Sequence, residues 1–569
     1  MSDRKWMVYS KKADFQAIAQ SCGISPVTAR IIRNRDVIGE EAVQRYLHGG
    51  IQDLHSPYLL KDAGKAAELL LDKIRLGRRI RIIGDYDIDG ICSTYLLLQA
   101  LRRLGAAADY DIPDRIRDGY GINPMMVRKA AEEGIDTILT CDNGIAAKEA
   151  MDEAAGLGLT VIITDHHEVP QGDQGDDLPQ AAAIVNPKQS DCSYPWKEIC
   201  GAVVAYKLIQ ILYEKMAVPR EEWLAMIEFA AMATIGDVMK LQDENRILVR
   251  EGLARMPFTR SEGLKALIRC NDLDIRQLSA YHIGFVVGPC LNASGRLETA
   301  KLAMRMLLAE DPEEAAELAL RLKELNEERK DMTAKGMEAA FAQVEKGSCG
   351  DMVLVVYLPD CHESLAGIIA GKVREHYNRP AIVLTDSREL VKGSGRSIEA
   401  YSMYQKLTEN KELMVRYGGH PMAAGMSLLP ENVERFRKAL NEKAGLTEED
   451  CIPKVWIDVP LPFEYVNEAL IRELELLEPF GQGNEKPLFA QKDVEIRQLR
   501  VMGRNRNAVR MDLVSQWGMP VSAIWFGEGD RFLKEAEGHH KMHVLYYPTI
   551  HEYNGIRSIQ MTIRDYQLL

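Results

Sequence analysis

The densest run of reactive side chains is GDYDIDG, Gly84 to Gly90, in which Asp85, Asp87 and Asp89 alternate along one short loop. Carboxylates held close together raise one another's pKa unless a cation neutralises them. Strand-like alternation aims Asp87 and Asp89 the same way, which makes them a pair for a bridging metal. A helix cap is the competing explanation, but a cap needs only one of the three. Farther along, TCDNGI sets Asp142 directly after a β-rich run, and ITDHHEVP sets Asp165, His166 and His167 after the next one. Asp237, in ATIGDVMKL, reads on its own as a cap or turn former after an apolar helix.

Carboxylate oxygens with one or two imidazoles suit manganese or magnesium better than zinc, which favours sulfur and nitrogen. Two ions about 3.5 to 4 Å apart, sharing Asp89 and Asp142, would acidify a water into a nucleophile and steady the charge on a phosphate's oxygens. His167, beside such ligands, is positioned to hydrogen-bond the scissile phosphate or to protonate the leaving oxygen.

These residues need a scaffold that brings separate stretches together. From Ile80 to Ile184 the runs RIRII, TILT, TVIIT and AAIV alternate with amphipathic helical stretches, the pattern of a parallel α/β sheet. Ligands of such sheets sit beyond the carboxyl ends of the strands, where the acidic residues fall. Residues 202–347 read mostly helical. Asp311-Pro312-Glu313-Glu314 opens one helix there with a cap, a proline and a first-turn acid, and Leu318, Leu322 and Leu325 share one of its faces. β-runs return at MVLVVYL from Met352 and AIVLT from Ala381, with a helix from Gly367 to His376 between them. Past Cys451 the strand-like runs VRMDLV, VSAIWF, HVLYY and SIQMTI predict a small β-barrel of OB type. The expected class is α/β: two lobes joined by a long helical linker, plus an OB-like barrel.

The 569 residues predict several domains, each with its own core. The first residues carry charge and no apolar stretch of signal-peptide length, and no later segment is apolar for long enough to span a bilayer, so neither secretion nor membrane insertion is expected. Its ten cysteines form no CxxC pair and read as reduced thiols. A net charge of −13 argues against coating nucleic acid through bulk charge, so any grip on it is local. The candidate basic clusters are Arg30, Arg33 and Arg35; Arg78, Arg79 and Arg81; and Arg500, Arg504, Arg506 and Arg510. Solvated helix faces explain such clusters equally well.

Taken in order, GDYDIDG, TCDNGI, TDHH and GDVMKL resemble the four motifs of the DHH phosphoesterase superfamily. PDRIRDGYG from Pro113, GPCLNASGRL from Gly288, GSGRSI from Gly393, YGGHPMAAG from Tyr417 and EPFGQGNEKPLF from Glu478 resemble segments of RecJ nucleases. The resemblance extends over nearly the whole chain. It implies an N-terminal helical region (1–60), a DHH catalytic domain (61–245), a helical linker (246–347), a DHHA1 domain (348–448) and an OB-like domain (449–569). It also implies metal ligands Asp87, Asp89, Asp142, His166 and Asp237, with Asp85 and His167 in catalytic support. Arg296, Ser394, Arg396 and His420 would hold substrate phosphates, and Arg115 and Tyr120 would contact the terminal nucleotide.

The activity so implied is a cytoplasmic, monomeric 5′→3′ exonuclease that hydrolyses single-stranded DNA to mononucleotides in recombination and repair. It would use two divalent ions, manganese preferred and magnesium the other option, and its expected partners are a RecQ-like helicase and a single-strand-binding protein. Trp517, Trp525, Phe526 and Tyr546 are the barrel aromatics available for stacking on bases, core packing being the alternative. Two further readings are a phosphodiesterase for short oligonucleotides or cyclic dinucleotides, and a DNA-bound scaffold without activity. Two positions depart from the RecJ pattern: Cys290, where arginine is usual, and Cys361, where tryptophan is usual.

Overall fold

In the computed structural model, which describes residues 4–173, 175–347, 349–553 and 555–569, Ile80–Ile83 (β1) is a wholly buried strand followed by the long helix Ile88–Arg103 (α1). Ala108–Asp111 (β2), Thr137–Cys141 (β3), Thr160–Thr164 (β4) and Ala183–Val185 (β5) join β1 in a parallel sheet of order β2-β1-β3-β4-β5. A parallel sheet is covered on both faces. α1, Gly201–Lys215 (α2) and Ile227–Gly236 (α3) pack on one side, and the helices Pro124–Glu132 and Lys148–Gly156 close the other around Ile138, Ile163 and Met151. The order reverses between β1 and β3, so their carboxyl ends flank the crevice that such a reversal opens.

Gly288–Leu297 (α4) belongs to the helical stretch that follows, and Pro312–Gly347 (α5) is a helix of 36 residues. Asp311 caps α5 through the Glu314 N–H as expected, and Leu318, Leu322 and Leu325 are buried together on one face. α5 ends against a second sheet made of Leu354–Tyr357 (β6), Ala381–Ser387 (β7), Leu390–Arg396 (β8), Arg416–His420 (β9) and Ala423–Leu428 (β10). Its order is β9-β10-β8-β7-β6. Ala366–Tyr377 (α6) carries the crossover that makes β6 and β7 parallel; the other pairings are antiparallel. The sequence shows only β6 and β7, because glycines strip β8, β9 and β10 of strand propensity. Packing accounts for one of those glycines: a Cβ on Gly393 would stand 2.5 Å from both Leu384 and Met426.

These elements form one compact unit, residues 55–239 and 251–452; residues 1–54, 240–250 and 453–569 form another. In the second unit, Phe489–Met502, Ala508–Val514, Pro520–Phe526, Lys541–Tyr553 and Ile556–Leu568 close into a ring through pairing of the first with the fourth. The long strand Phe489–Met502 is absent from the sequence reading because its charged stretch KDVEIRQLR masks the alternation. Three helices, Phe15–Cys22, Pro26–Asn34 and Glu40–His48, share the ring's apolar core. The chain is thus α/β, with two sheet lobes, a long linking helix and a C-terminal barrel.

Two of the three basic clusters turn out to be structural. Arg35 is buried in a two-pronged pair with Asp458, and Arg33 pairs with Asp36. Arg81 is held by Asp109 and Glu133, Arg79 by Asp109 and Arg78 by Asp136. In the third cluster, Arg506 pairs with Asp530 on the surface. Among the aromatics, Tyr546 is core and donates to the Leu461 carbonyl, and Trp525 packs on Phe532 and Tyr566. Trp517 and Phe526 remain exposed. All ten cysteines are free thiols.

Candidate functional site

The loop leaving β1 becomes helical sooner than its spacing suggests. α1 begins at Ile88, so Asp87 is its N-cap and accepts hydrogen bonds from the Asp89 and Gly90 N–H groups, both at 3.1 Å. Asp89 therefore lies inside the first helical turn, and the strand-like alternation expected of Asp87 and Asp89 does not occur. Capping and metal binding are not rivals here, since the capping residue also faces the acidic cluster. Asp89 is fully buried, and its two oxygens accept from the Gly201 N–H (2.6 Å) and the Ala202 N–H (2.7 Å). The N-terminus of α2, with its unpaired donors and positive dipole end, thus holds this carboxylate. Gly201 is required for the approach: a Cβ there would lie 2.7 Å from the Asp142 Cβ.

Asp142 leaves β3 with φ +61°, a backbone turn that aims its carboxylate into the same crevice. His166, two residues past β4, directs Nε2 at three carboxylates: Asp142 at 3.1 Å, Asp89 at 3.5 Å and Asp237 at 3.7 Å. Asp237 arrives as the C-cap of α3, as its position after an apolar helix suggests. His167 is oriented by Asp165, which accepts from Nδ1 at 2.8 Å. Three overlapping groups bring their ligand atoms within 4.8 Å of one another: Asp89, His166 and Asp237; Asp142, His166 and His167; Asp85, Asp87 and Asp142.

The electrostatics indicate what the cluster can hold. Burial, then the charge of Asp87, pushes Asp85 well above the usual carboxylate range; burial, then Asp89, does the same to Asp142. Burial lowers the His166 pKa and keeps the imidazole neutral, the form that ligates metal. For His167, burial is outweighed by the Asp165 hydrogen bond and charge, and its pKa rises to about 9. Asp85 Oδ1, Asp142 Oδ1 and His166 Nδ1 are buried without hydrogen-bond partners. Crowded acids with unpartnered oxygens beside a neutral imidazole fit divalent cations, and the mostly oxygen donor set fits manganese or magnesium.

Beside this cluster lies a cleft of about 530 Å³, lined among others by Tyr86, Arg115, Tyr120, Ser364, Ser394, Gly418 and Gly425. The Arg115 guanidinium lies over the Tyr86 ring at 4.4 Å. The Tyr120 hydroxyl donates to the Asp142 carbonyl at 2.9 Å and touches His167, which ties the cleft to the acidic cluster. Arg396 donates to Ser394 Oγ at 3.1 Å. Arg296 donates to the Ser364 carbonyl, and burial, then Arg115 and Arg329, lowers its pKa to about 10. Three arginines, Arg115, Arg296 and Arg396, gathered without a paired carboxylate among the described residues make a site for phosphate. His420, by contrast, sits exposed on the edge strand β9, and its Nδ1 accepts from the Met422 N–H.

Several contributors went unseen in the sequence. GPCLNASGRL, the segment that carries Arg296, forms the helix α4; its Asn292 accepts from the Ile88 N–H at 2.7 Å and steadies the metal loop. Cys290 is buried there against Asn271, Asn326 and the Val286 carbonyl, so no cation stands at that position. Cys361 borders a cavity of about 340 Å³ with Met332, Gly336, Leu358 and Leu365. Gly201 and Ala202 carried one faint signal: an apolar helix opening on glycine with no side-chain cap before it.

Three parts of the chain match described domains: residues 79–236 the DHH family, N-terminal domain; residues 350–445 the DHHA1 domain; and residues 457–565 the RecJ OB domain. Over 99% of its length the chain is 35% identical to the single-stranded-DNA-specific exonuclease RecJ of Bacillus subtilis, covering 71% of that protein. The chain belongs to the RecJ family. RecJ of Escherichia coli is 32% identical, with 95% of each chain covered. The structure of Thermus thermophilus RecJ in complex with Mn2+ superposes on all of this chain and 80% of that one, with a TM-score of 0.85 at 28% identity. Membership in the RecJ family accounts for the order of the motifs, and the acidic cluster, His166 and His167 all fall in or next to the matched DHH domain.

Proposed function

We propose that this RecJ-family chain is a metal-dependent exonuclease that degrades single-stranded DNA from its 5′ end. The observation that carries the reading is the convergence of Asp89, Asp142 and Asp237 on His166 Nε2, with Asp85 and Asp87 grouped at Asp142, beside an arginine-lined cleft. We assign residues 61–245 to catalysis, 246–347 to the linker, 348–448 to the DHHA1 lobe, and the flanking regions to an N-terminal helical part and the OB-type barrel.

Asp87, Asp89, Asp142, His166 and Asp237 would hold two divalent ions, which when bound activate water and offset the charge on a reacting phosphate. Asp85, next to the ligands, supports their arrangement. Asp165 fixes the His167 ring so that Nε2 points towards Tyr120 and the cleft, where it donates to a phosphate oxygen or to the leaving O3′. Arg115, Ser394 and Arg396 grip the 5′-terminal phosphate, Arg296 steadies that wall, and Tyr120 packs against the first nucleotide. His420 follows the strand farther along β9. A cleft of nucleotide size admits a first base only when it is unpaired, which gives preference for single strands. The exposed Trp517 and Phe526 give the barrel, taken by itself, surfaces on which unpaired bases can stack. No described helix is long and apolar enough to cross a membrane, and we assign the enzyme to the cytoplasm as a monomer, working on strands exposed by a helicase and bound by a single-strand-binding protein.

The test is digestion of one oligodeoxynucleotide, labelled at either end, as single strand and as duplex, with and without manganese. Release of mononucleotides from the 5′ end of the single strand, in metal only, is the expected result. An Asp142→Ala variant that digests it at the wild-type rate would refute the mechanism.

A further inference from the structure

The sheet face that bears Ser394 continues past it. β8, β10 and β9 pair so that Arg396, Ala423 and His420 lie side by side on one rung, Ser394, Gly425 and Gly418 on the next rung of the same face, and Lys392, Ser427 and Arg416 on the rung after that. Alternate residues Val391, Gly395, Ala424, Met426 and Leu428 are buried on the other face, which fixes the assignment. Rungs two residues apart are about 6.8 Å apart. The middle rung carries glycine at two of its three positions, and a Cβ built on Gly418 or Gly425 meets nothing within 4 Å. The result is an open trough from Ser394 to the third rung. The 530 Å³ cleft runs its length, from Tyr86, Arg115 and Ser394 to Thr385, Lys392, Arg416 and Ser427.

The charges along this trough are unbalanced. Lys392 pairs with Glu363 at 2.9 Å, and Glu363 is the one carboxylate in the lining. Neither Arg416 nor Arg115 has a carboxylate partner among the described residues. Three cations against one anion, with the Ser427 hydroxyl between two of the cations, are more than a single terminal phosphate needs.

We propose that the third rung is a subsite for the outer phosphates of a 5′-triphosphorylated strand. The inference rests on the 5′-exonuclease reading above. The innermost phosphate occupies the Ser394 and Arg115 position, the glycine rung lets the chain of phosphates pass, and Arg416, Lys392 and Ser427 receive its end by charge-assisted hydrogen bonds. A side chain on the middle rung would fill this path. Hydrolysis then falls on the first internucleotide linkage: the water oxygen joins that phosphorus, the bond to O3′ breaks, and the proton goes to O3′. The products are a nucleoside 5′-triphosphate with a free 3′-hydroxyl and a shortened strand with a 5′-monophosphate. No bond within the triphosphate breaks.

The experiment uses one single-stranded oligodeoxynucleotide carrying a 5′-hydroxyl, a 5′-monophosphate or a 5′-triphosphate, the full-length enzyme with manganese, and mass analysis of the first product. The expected result is degradation of the triphosphate strand within about threefold of the monophosphate strand, with an intact nucleoside triphosphate released first. In Arg416→Ala, and in the double variant Arg416→Ala with Lys392→Ala, the triphosphate strand slows by about tenfold or more, as one or two lost charge-assisted hydrogen bonds dictate. The monophosphate strand keeps its rate. Refusal of the triphosphate strand by the wild type, prior release of pyrophosphate, or equal slowing of both strands in the variants would each overturn the subsite. If the wild type leaves the monophosphate strand intact as well, the exonuclease reading itself fails, which is a separate result.

Discussion

Gly201→Ala tests the packing of the metal centre without touching a ligand. The new Cβ would stand 2.7 Å from the Asp142 Cβ and 3.0 Å from Asp142 Oδ1, where carbon atoms ordinarily meet at about 3.5 to 4.0 Å. Something must therefore yield by about 1 Å. If Asp142 yields, it leaves its 3.1 Å contact with His166. If α2 yields, the 2.6 Å and 2.7 Å hydrogen bonds from Gly201 and Ala202 to Asp89 stretch together. Either way a candidate ligand shared between groups is misplaced by an amount that costs about a hundredfold in rate. Steady-state kcat/KM on an end-labelled single strand, read across a manganese titration beside a thermal melt, separates this from misfolding. The expected outcome is a loss of that order and a higher manganese requirement, with the fold retained. A folded Gly201→Ala enzyme within about threefold of wild type at saturating manganese would refute the argument that this helix end positions the acids.

Two further outcomes concern stability. Asp458→Ala strands the buried Arg35 without its counter-ion and should destabilise the unit that contains the barrel by about 3 to 5 kcal/mol in urea unfolding; a change within experimental error would show that Arg35 finds solvent. Glu228 is buried beside Thr259, and burial raises its pKa to about 7 from 4.5. Its folded form therefore holds a proton that the unfolded chain gives up, so the stability it contributes is complete below pH 4.5 and lost as pH rises towards 7. Glu228→Gln should remove that decline, gaining on the wild type by roughly 3 kcal/mol at most above pH 7; parallel stability curves for the two proteins would exclude it.

What the sequence displays well is what strand ends display. TILT followed by Asp142 and TVIIT followed by His166 and His167 are legible because buried parallel strands are short unbroken apolar runs. Asp237 is legible as the residue that ends an apolar helix. The orientation of Asp87 and Asp89 is not, because the helix starts at Ile88 and converts an apparent alternation into cap and first turn. Nor is the grip of α2 on Asp89, which is made by backbone N–H groups that no residue type announces. The glycine-bearing strands β8 to β10 fail for the opposite reason: their residues were chosen for an open trough and for close packing, at the expense of the propensity by which strands are recognised. The edge strand β2, with sequence ADYD, is hidden by its own charges, which suit a sheet edge.

The same cluster bears on the energy of the fold. Three aspartates around one imidazole, with Asp85 and Asp87 grouped at one of them, are a repulsive arrangement, relieved only in part by the amides at the starts of α1 and α2. Asp142 is the sharpest case, since its Oδ1 is buried without a hydrogen bond, with the neutral His166 ring as its 3.1 Å neighbour, and its pKa is pushed up by burial and then by Asp89. Asp142→Asn keeps the shape and removes one of the opposing charges, so the metal-free variant should melt above the metal-free wild type, as happens where function is bought with strain. Adding manganese should reverse the ranking. Binding to the folded form stabilises the wild type by about 2.7 kcal/mol at one hundred times the dissociation constant, and the variant, lacking a shared ligand, gains less. Thermal melts of both proteins with chelator and with manganese measure all four states. If Asp142→Asn is the less stable protein even in chelator, Asp142 stabilises the fold by itself, and the claim that its charge waits for a cation is wrong.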